Sequence, residues 1–325
     1  MYTRKGLIPC AAPNGTVVSS RDTKIMRITR ISVPLALLLA KTVSSAWAEP
    51  LPADCSMLSA LVQDFTGYEV AARPAIAMDG WCVLEGARLA ALSDAQPDLQ
   101  AETLRLRGQI VDGAPTWIEV QLTGLRLVQG LGAKQLDERL KAIFRLQSAD
   151  FRLGMGLNTE AERLEIRDLF LSLSGGTVIR IDADLAGAGM TPLGLAVGRL
   201  TMLEIEWKND GRLLRGGMEA VGSGPDETRT ADEAVRAARE EPQLLIGALP
   251  ATFLEDESRR ALSGMAASLP EARGVLQLSF ASEQGIGAAD LLLAGMADEP
   301  LGEASLGKLF ASSRLEADWS PGIQP

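Results

Sequence analysis

Two runs of alternating apolar and polar residues meet at Gly175-Gly176, inside the stretch Glu160–Gly187 (EAERLEIRDLFLSLSGGTVIRIDADLAG). After the glycines, Thr177, Ile179, Ile181, Ala183 and Leu185 fall in one phase, and Arg180, Asp182 and Asp184 fall in the other. That alternation predicts a half-buried antiparallel strand with a dry side and a wet side. Before the glycines, Leu164 and Ile166 share one phase while Leu169, Leu171 and Leu173 share the opposite one. The slip at Arg167-Asp168 predicts a β-bulge, and the glycine pair can take the positive φ angles of a tight hairpin turn. On this reading Asp182 and Asp184 lie on a solvated face, and the functional surface is the dry side: Ile179, Ile181, Leu185, Leu169, Leu171 and Leu173.

The same rhythm recurs upstream. Leu104, Leu106 and Ile110 alternate up to Asp112-Gly113, a turn signal. Ile118, Val120 and Leu122 then keep one phase, and Leu125 and Leu127 the other. Ile118, Val120, Leu125 and Leu127 each stand 46 positions before Leu164, Ile166, Leu171 and Leu173, which predicts one strand-bulge-strand unit used twice. Between the copies, Leu136, Leu140, Ile143 and Phe144 have helical spacing, and Phe151 to Leu157 alternate as a strand.

Elsewhere, Met57, Leu58, Leu61, Val62 and Phe65 predict a helix capped by Asp54, followed by one or two strands over Tyr68–Leu92 broken at Asp79-Gly80. Leu203, Ile205 and Trp207 run into Asn209-Asp210-Gly211, a hairpin signal. Thr230 with Glu233 predicts a capped polar helix to Glu241, and a second helix spans roughly Phe253–Leu269. Strands return over Leu276–Phe280, Ile286–Leu293 and Leu315–Trp319. The fold class expected is α+β and β-rich: a curved antiparallel meander of hairpins with a few inserted helices. Three regions follow: 1–48 as leader and secretory signal, 49–95 as an N-terminal helix with strands and a disulfide, and 96–325 as the β-rich domain with a helical insert about 226–270.

The leader assignment rests on Lys24, Arg27 and Arg30 before the apolar run Ile31–Ala40, with Ala46-Trp47-Ala48 as an A-x-A cleavage site. Translation is expected to begin at Met26. Ten apolar residues followed by Lys41 are too few to span a bilayer, so the mature chain is expected to carry no transmembrane segment and to be periplasmic or secreted. Of the three cysteines, Cys10 leaves with the leader, and Cys55 and Cys82 are expected to pair in an oxidising compartment.

Beyond Ala48 the chain keeps 25 of its 32 Lys and Arg but 41 of its 42 Asp and Glu, a formal charge of −16. Such a surface repels phosphate backbones, so no nucleic-acid partner is expected. With no histidine anywhere, Ser-His-Asp, Cys-His and His-metal sites are excluded.

The remaining motifs are incomplete. Ser305 and Lys308 match S-x-x-K, yet the S-D-N and K-T-G elements that accompany it are absent from the mature chain. Asp182 and Asp184 lie about 7 Å apart along a strand, too few oxygens for calcium. Gly130 and Gly132 before Lys134 lack both the third dinucleotide glycine and the Walker spacing. No catalytic, metal or cofactor residue is assigned.

The signal, the L-x-I and L-x-L rhythm of Leu164–Leu173, and a helix ending SLPEARGVLQLSF before further strands together resemble proteobacterial periplasmic β-rich envelope proteins of AsmA-like type. The resemblance spans roughly Ala101–Trp319 and implies a grooved sheet serving envelope or lipid homeostasis. The function expected is therefore a non-enzymatic exported protein that binds a lipid or apolar small molecule along a β-sheet groove. An envelope-protein interaction module without ligand, and a hydrolase, are the alternatives.

Overall fold

The computed structural model describes residues 55–71, 75–76, 79–92, 97–128, 147–211, 231–290 and 303–322. The expected leader, Asp54, the segment carrying Gly130–Phe144, the Gly222–Pro225 break, Thr230 and residues 291–293 of the expected Ile286–Leu293 strand lie outside them. Within the described residues the chain is mostly antiparallel sheet with a few helices, as the alternation predicts.

The sheet has thirteen strands: β1 (Tyr68–Ala71), β2 (Ala75–Ile76), β3 (Cys82–Glu85), β4 (Arg88–Ala91), β5 (Leu99–Gln100), β6 (Thr103–Val111), β7 (Ala114–Leu127), β8 (Ala149–Asn158), β9 (Arg163–Leu173), β10 (Val178–Ala186), β11 (Arg199–Asn209), β12 (Gly274–Gly287) and β13 (Ser313–Pro321). From β7 to β13 they lie side by side in chain order, a meander that does not close. The long strand β7 pairs along most of its length with β6, and at Arg126-Leu127 with β5. Tyr68–Leu92 thus forms four short strands rather than one or two. Turns at Gly80 and Gly86, both at positive φ, interrupt its apolar run.

Among the described residues five helices accompany the sheet: α1 (Cys55–Thr66), α2 (Pro192–Val197), α3 (Ala231–Ala248), α4 (Asp256–Ala267) and α5 (Glu303–Leu309). Helix α1 buries Cys55, Leu58 and Leu61 on one stripe and is tied to β3 by the Cys55–Cys82 disulfide. Leu58 can seat because its neighbour on β6 is Gly108, where a Cβ would approach Leu58 to 3.1 Å and the Trp117 carbonyl to 2.7 Å. Helix α3 runs on past Glu241 through Pro242 to Ala248. Its C-terminal carbonyls find a donor in Arg259 of α4, whose guanidinium bonds Ile246 and, at 2.8 Å, Leu249.

Both expected phase slips are bulges. Pairing shifts between Leu122 and Leu125 of β7, and across β9 between Ile166 and Leu169. Each bulge holds a left-handed residue, Gly124 (φ 59°) or Asp168 (φ 50°). Each turns its N–H onto an aspartate of the next strand: Gly124 to Asp150 Oδ1 and Asp168 to Asp182 Oδ1, both at 2.9 Å. The extra residue restores the phase, so Leu164, Ile166 and Leu169 pair with Leu185, Ala183 and Ile181 on one face.

Three local expectations are corrected. Of the two turn glycines only Gly176 has positive φ (92°), because the three-residue loop closed by Leu173 and Thr177 needs one left-handed residue. Asn209-Asp210-Gly211 does not fold β11 onto the chain that follows it; β11 pairs with β12, more than sixty residues on. Asn209 is buried there, accepting from Thr177 Oγ1 at 3.2 Å and donating to the Ala272 carbonyl at 2.5 Å. Finally, the strand expected over Ile286–Leu293 is the tail of β12, which ends at Gly287; residues 288–290 turn helical, and Asp290 Oδ2 accepts the Gly287 N–H at 3.0 Å.

The outer edge of β13 is occupied. Leu315 N–H donates to the Phe253 carbonyl at 2.7 Å and Ala317 N–H to Ser258 Oγ of α4 at 3.0 Å.

Two stability predictions follow from these ties. The disulfide closes a 27-residue separation, so Cys55→Ser with Cys82→Ser should lower unfolding free energy by about 3 kcal/mol, read from urea curves with and without reductant. Asp150→Ala and Asp182→Ala should each lose about 1 kcal/mol by removing the acceptor of a bulge amide, whereas Asp150→Asn and Asp182→Asn, which keep an acceptor oxygen, should lose less.

Candidate functional site

The register places the predicted dry-face residues as follows. One cross-strand row reads Phe151, Leu171, Ile179, Trp207, Leu276 and Trp319. The next reads Leu169, Ile181, Ile205, Leu278 and Ala317. Leu171, Ile179, Leu169 and Ile181 are therefore immediate neighbours, with Leu173 one step further along β9, opposite Ala149. Leu185 is separated from them. It sits beyond the bulge against fully buried Leu164 and packs into the N-terminal core.

That core gathers α1, the short strands and one end of β6–β10 around Leu84, Leu104, Leu106 and Leu164. A second core sits under α3, α4 and α5, around Leu254, Leu262, Leu276 and Phe280. Leu169, Leu171, Leu173, Ile179 and Ile181 join neither cluster and are only half-buried. Between two packed ends, the apolar face thus has a middle stretch left outside both cores. Ile205 belongs to it as well. Its place in the Leu203–Trp207 alternation carried that signal, but only the register sets it beside Ile181.

The opposite face is polar and needs one correction. Asp182 is half-exposed and holds the bulge amide, as a wet-face residue can. Asp184 is instead buried, with 8% of its side chain exposed, because two arginines of β9 fold over it: Arg167 Nη2 lies 2.7 Å from Oδ1 and Arg163 Nη1 3.3 Å from Oδ2. Arg167 also donates to the Ala183 carbonyl at 3.2 Å, which fixes its plane. Beside it, Glu165 accepts from Asn158 Nδ2 and Arg163 Nε, each at 3.0 Å. Those bonds, with the nearby guanidinium charges, hold its carboxyl below the ordinary range.

Further along this face, Arg152 and Arg180 flank the Phe170 ring at 4.6 and 5.5 Å. A hollow of about 690 Å³ over β10–β13 is walled by carboxylates, among them Glu204, Glu206 and Glu316. Ser305 and Lys308 stand one turn apart on α5. Among the described residues no group of three or more Cys, Asp and Glu is arranged to hold a metal, and no helix is long and apolar enough to cross a membrane.

No protein-family model matches the chain, and no curated protein matches it either.

The Glu165 network carries a pH signature. A carboxyl held low in the folded state adds stability above its unfolded pKa of about 4.3. That contribution is lost as pH falls through the lower folded value. Wild type should therefore exceed Glu165→Gln in urea midpoint near about pH 6, with the gap narrowing as pH falls below the ordinary carboxylate range of about 4.3.

Proposed function

We propose that this is a non-enzymatic exported protein, periplasmic or secreted, that binds a lipid or other apolar ligand along the middle of its sheet. Its place would be in envelope homeostasis, the role that the AsmA-like resemblance implies. One observation carries the reading: Leu169, Leu171, Leu173, Ile179 and Ile181 present a contiguous apolar strip that belongs to neither packed core. A strip two strands wide suits an acyl chain, which asks for apolar contact and no hydrogen bonds. The Cys55–Cys82 disulfide supports an oxidising compartment. The acidic balance of the chain favours neutral or zwitterionic lipids over anionic ones.

Native mass spectrometry of the protein purified from its own compartment tests this directly. The expected result is co-purifying lipid, or uptake of phosphatidylethanolamine offered in detergent. Ile179→Asp and Ile181→Asp should weaken uptake at least about tenfold, that is by about 1.4 kcal/mol or more. A clean apo mass with no uptake of offered lipid would sink the proposal.

A further inference from the structure

On the other face of the sheet, β8 carries Gly154 and Gly156 where its neighbours carry large polar or aromatic side chains. Gly156 stands between Trp117 of β7 and Glu165 of β9; Gly154 stands between Glu119 and Arg167. Two successive cross-strand rows thus have bare centres. A trough of about 600 Å³ lies over them, with walls two strand spacings apart, about 10 Å. Glycine inside a strand weakens it and commonly marks a close approach of backbone or ligand.

Both glycines have a local reason, and neither is covered. A Cβ at Gly154 would come 3.1 Å from the Arg167 carbonyl, which the bulge pushes inward, and would meet no side chain within 4 Å. A Cβ at Gly156 would meet first the Cβ of Trp117 at 3.3 Å and the Thr116 carbonyl at 3.6 Å. Trp117 lines the trough from the β7 side, with the Arg107 guanidinium of β6 5.9 Å from its ring centroid. Trp117 is 38% exposed in mid-strand, on the polar side of the sheet.

We propose that this trough binds a neutral sugar ring, stacked on Trp117 and hydrogen-bonded by Glu119 and Glu165. The negative face of an indole attracts the slightly positive C–H face of a pyranose, and the rim supplies what the hydroxyls need. Glu119 accepts from Arg107 Nε at 2.6 Å and Gln121 Nε2 at 3.0 Å. Glu165 is held by Asn158 and Arg163. A carboxylate offers about four acceptor sites, so each keeps capacity for a hydroxyl while its own position is fixed. With Glu160 also at the rim, Glu119, Glu160, Glu165 and the neighbouring Asp184 stand against Arg107, Arg163 and Arg167, and the absence of surplus positive charge disfavours an anionic sugar. The trough lies on the face opposite the apolar strip, so the two sites are independent.

Calorimetric titration of the mature, disulfide-bonded chain with cellotetraose, maltotetraose and chitotetraose tests the assignment. At least one should bind with a Kd of about 1 mM or tighter. Trp117→Ala should weaken that binding at least about tenfold with an unchanged thermal midpoint. Trp117→Phe should retain most of it, and Ile179→Asp should leave it untouched. If Trp117→Ala fails to fold, Glu119→Gln serves instead, with binding weakened and the fold kept. No heat from any of the three up to about 10 mM, binding indifferent to both variants, or tighter binding of a sulfated oligosaccharide would each overturn it.

Discussion

A strand alternates faces with a period of two, so a single miscounted residue sends every later side chain to the wrong side. The hydrogen bond from the Asp168 amide to Asp182 is where this chain absorbs the miscount. Asp168 takes a left-handed conformation, its N–H leaves the ladder, and the aspartate of the next strand accepts it. The apolar residues on either side of the bulge then share one surface. Gly124 and Asp150 perform the same operation in β7. The two bulge residues lie 44 positions apart, while the apolar positions of the two strands match at 46. Without these two extra residues, β7 and β9 would each send the apolar positions beyond the slip to the opposite face.

A consistent face is long enough here to build two cores and still have surface left over. Helix α1 is held by a covalent bond and by the room at Gly108; the C-terminal helices are held by Arg259 and by the aromatic stack of Phe253 on Phe310 at 4.1 Å. The middle strands receive no comparable partner among the described residues. Their reverse side is stitched by guanidinium–carboxylate pairs across neighbouring strands, such as Arg107–Glu119 and Arg180–Glu206. The sheet is thereby cross-linked through its polar face.

Strand existence, the Asp112-Gly113 turn and the bulges were all legible, because alternation and its interruptions are local properties of the chain. The cysteine pairing was legible by elimination. What alternation could not convey was cross-strand context. Asp184 has the same parity as Arg180 and Asp182, and only the folding of Arg163 and Arg167 onto it makes it buried. Asn209 has the composition of a turn residue, yet tertiary contacts with Thr177 and Ala272 recruit it as a buried tie. Leu185 has the phase of Ile179 and Ile181, but lies past the bulge and so falls to a different core. The bare rows over β8 were likewise hidden, since nothing local distinguishes Gly154 and Gly156 from glycines that merely turn a chain.

The Ser258 hydroxyl and the Phe253 carbonyl answer the outward amides of Ala317 and Leu315 in β13. An incoming strand would have to break those bonds and lift α4 before it could pair. A meander of this length would otherwise be a template for edge-to-edge growth, recruiting copies of itself or unfolded neighbours. At its C-terminal end the sheet is therefore terminated chemically as well as sterically. Strand addition at this end would have to displace Phe253 and α4 from Leu315 and Ala317 first.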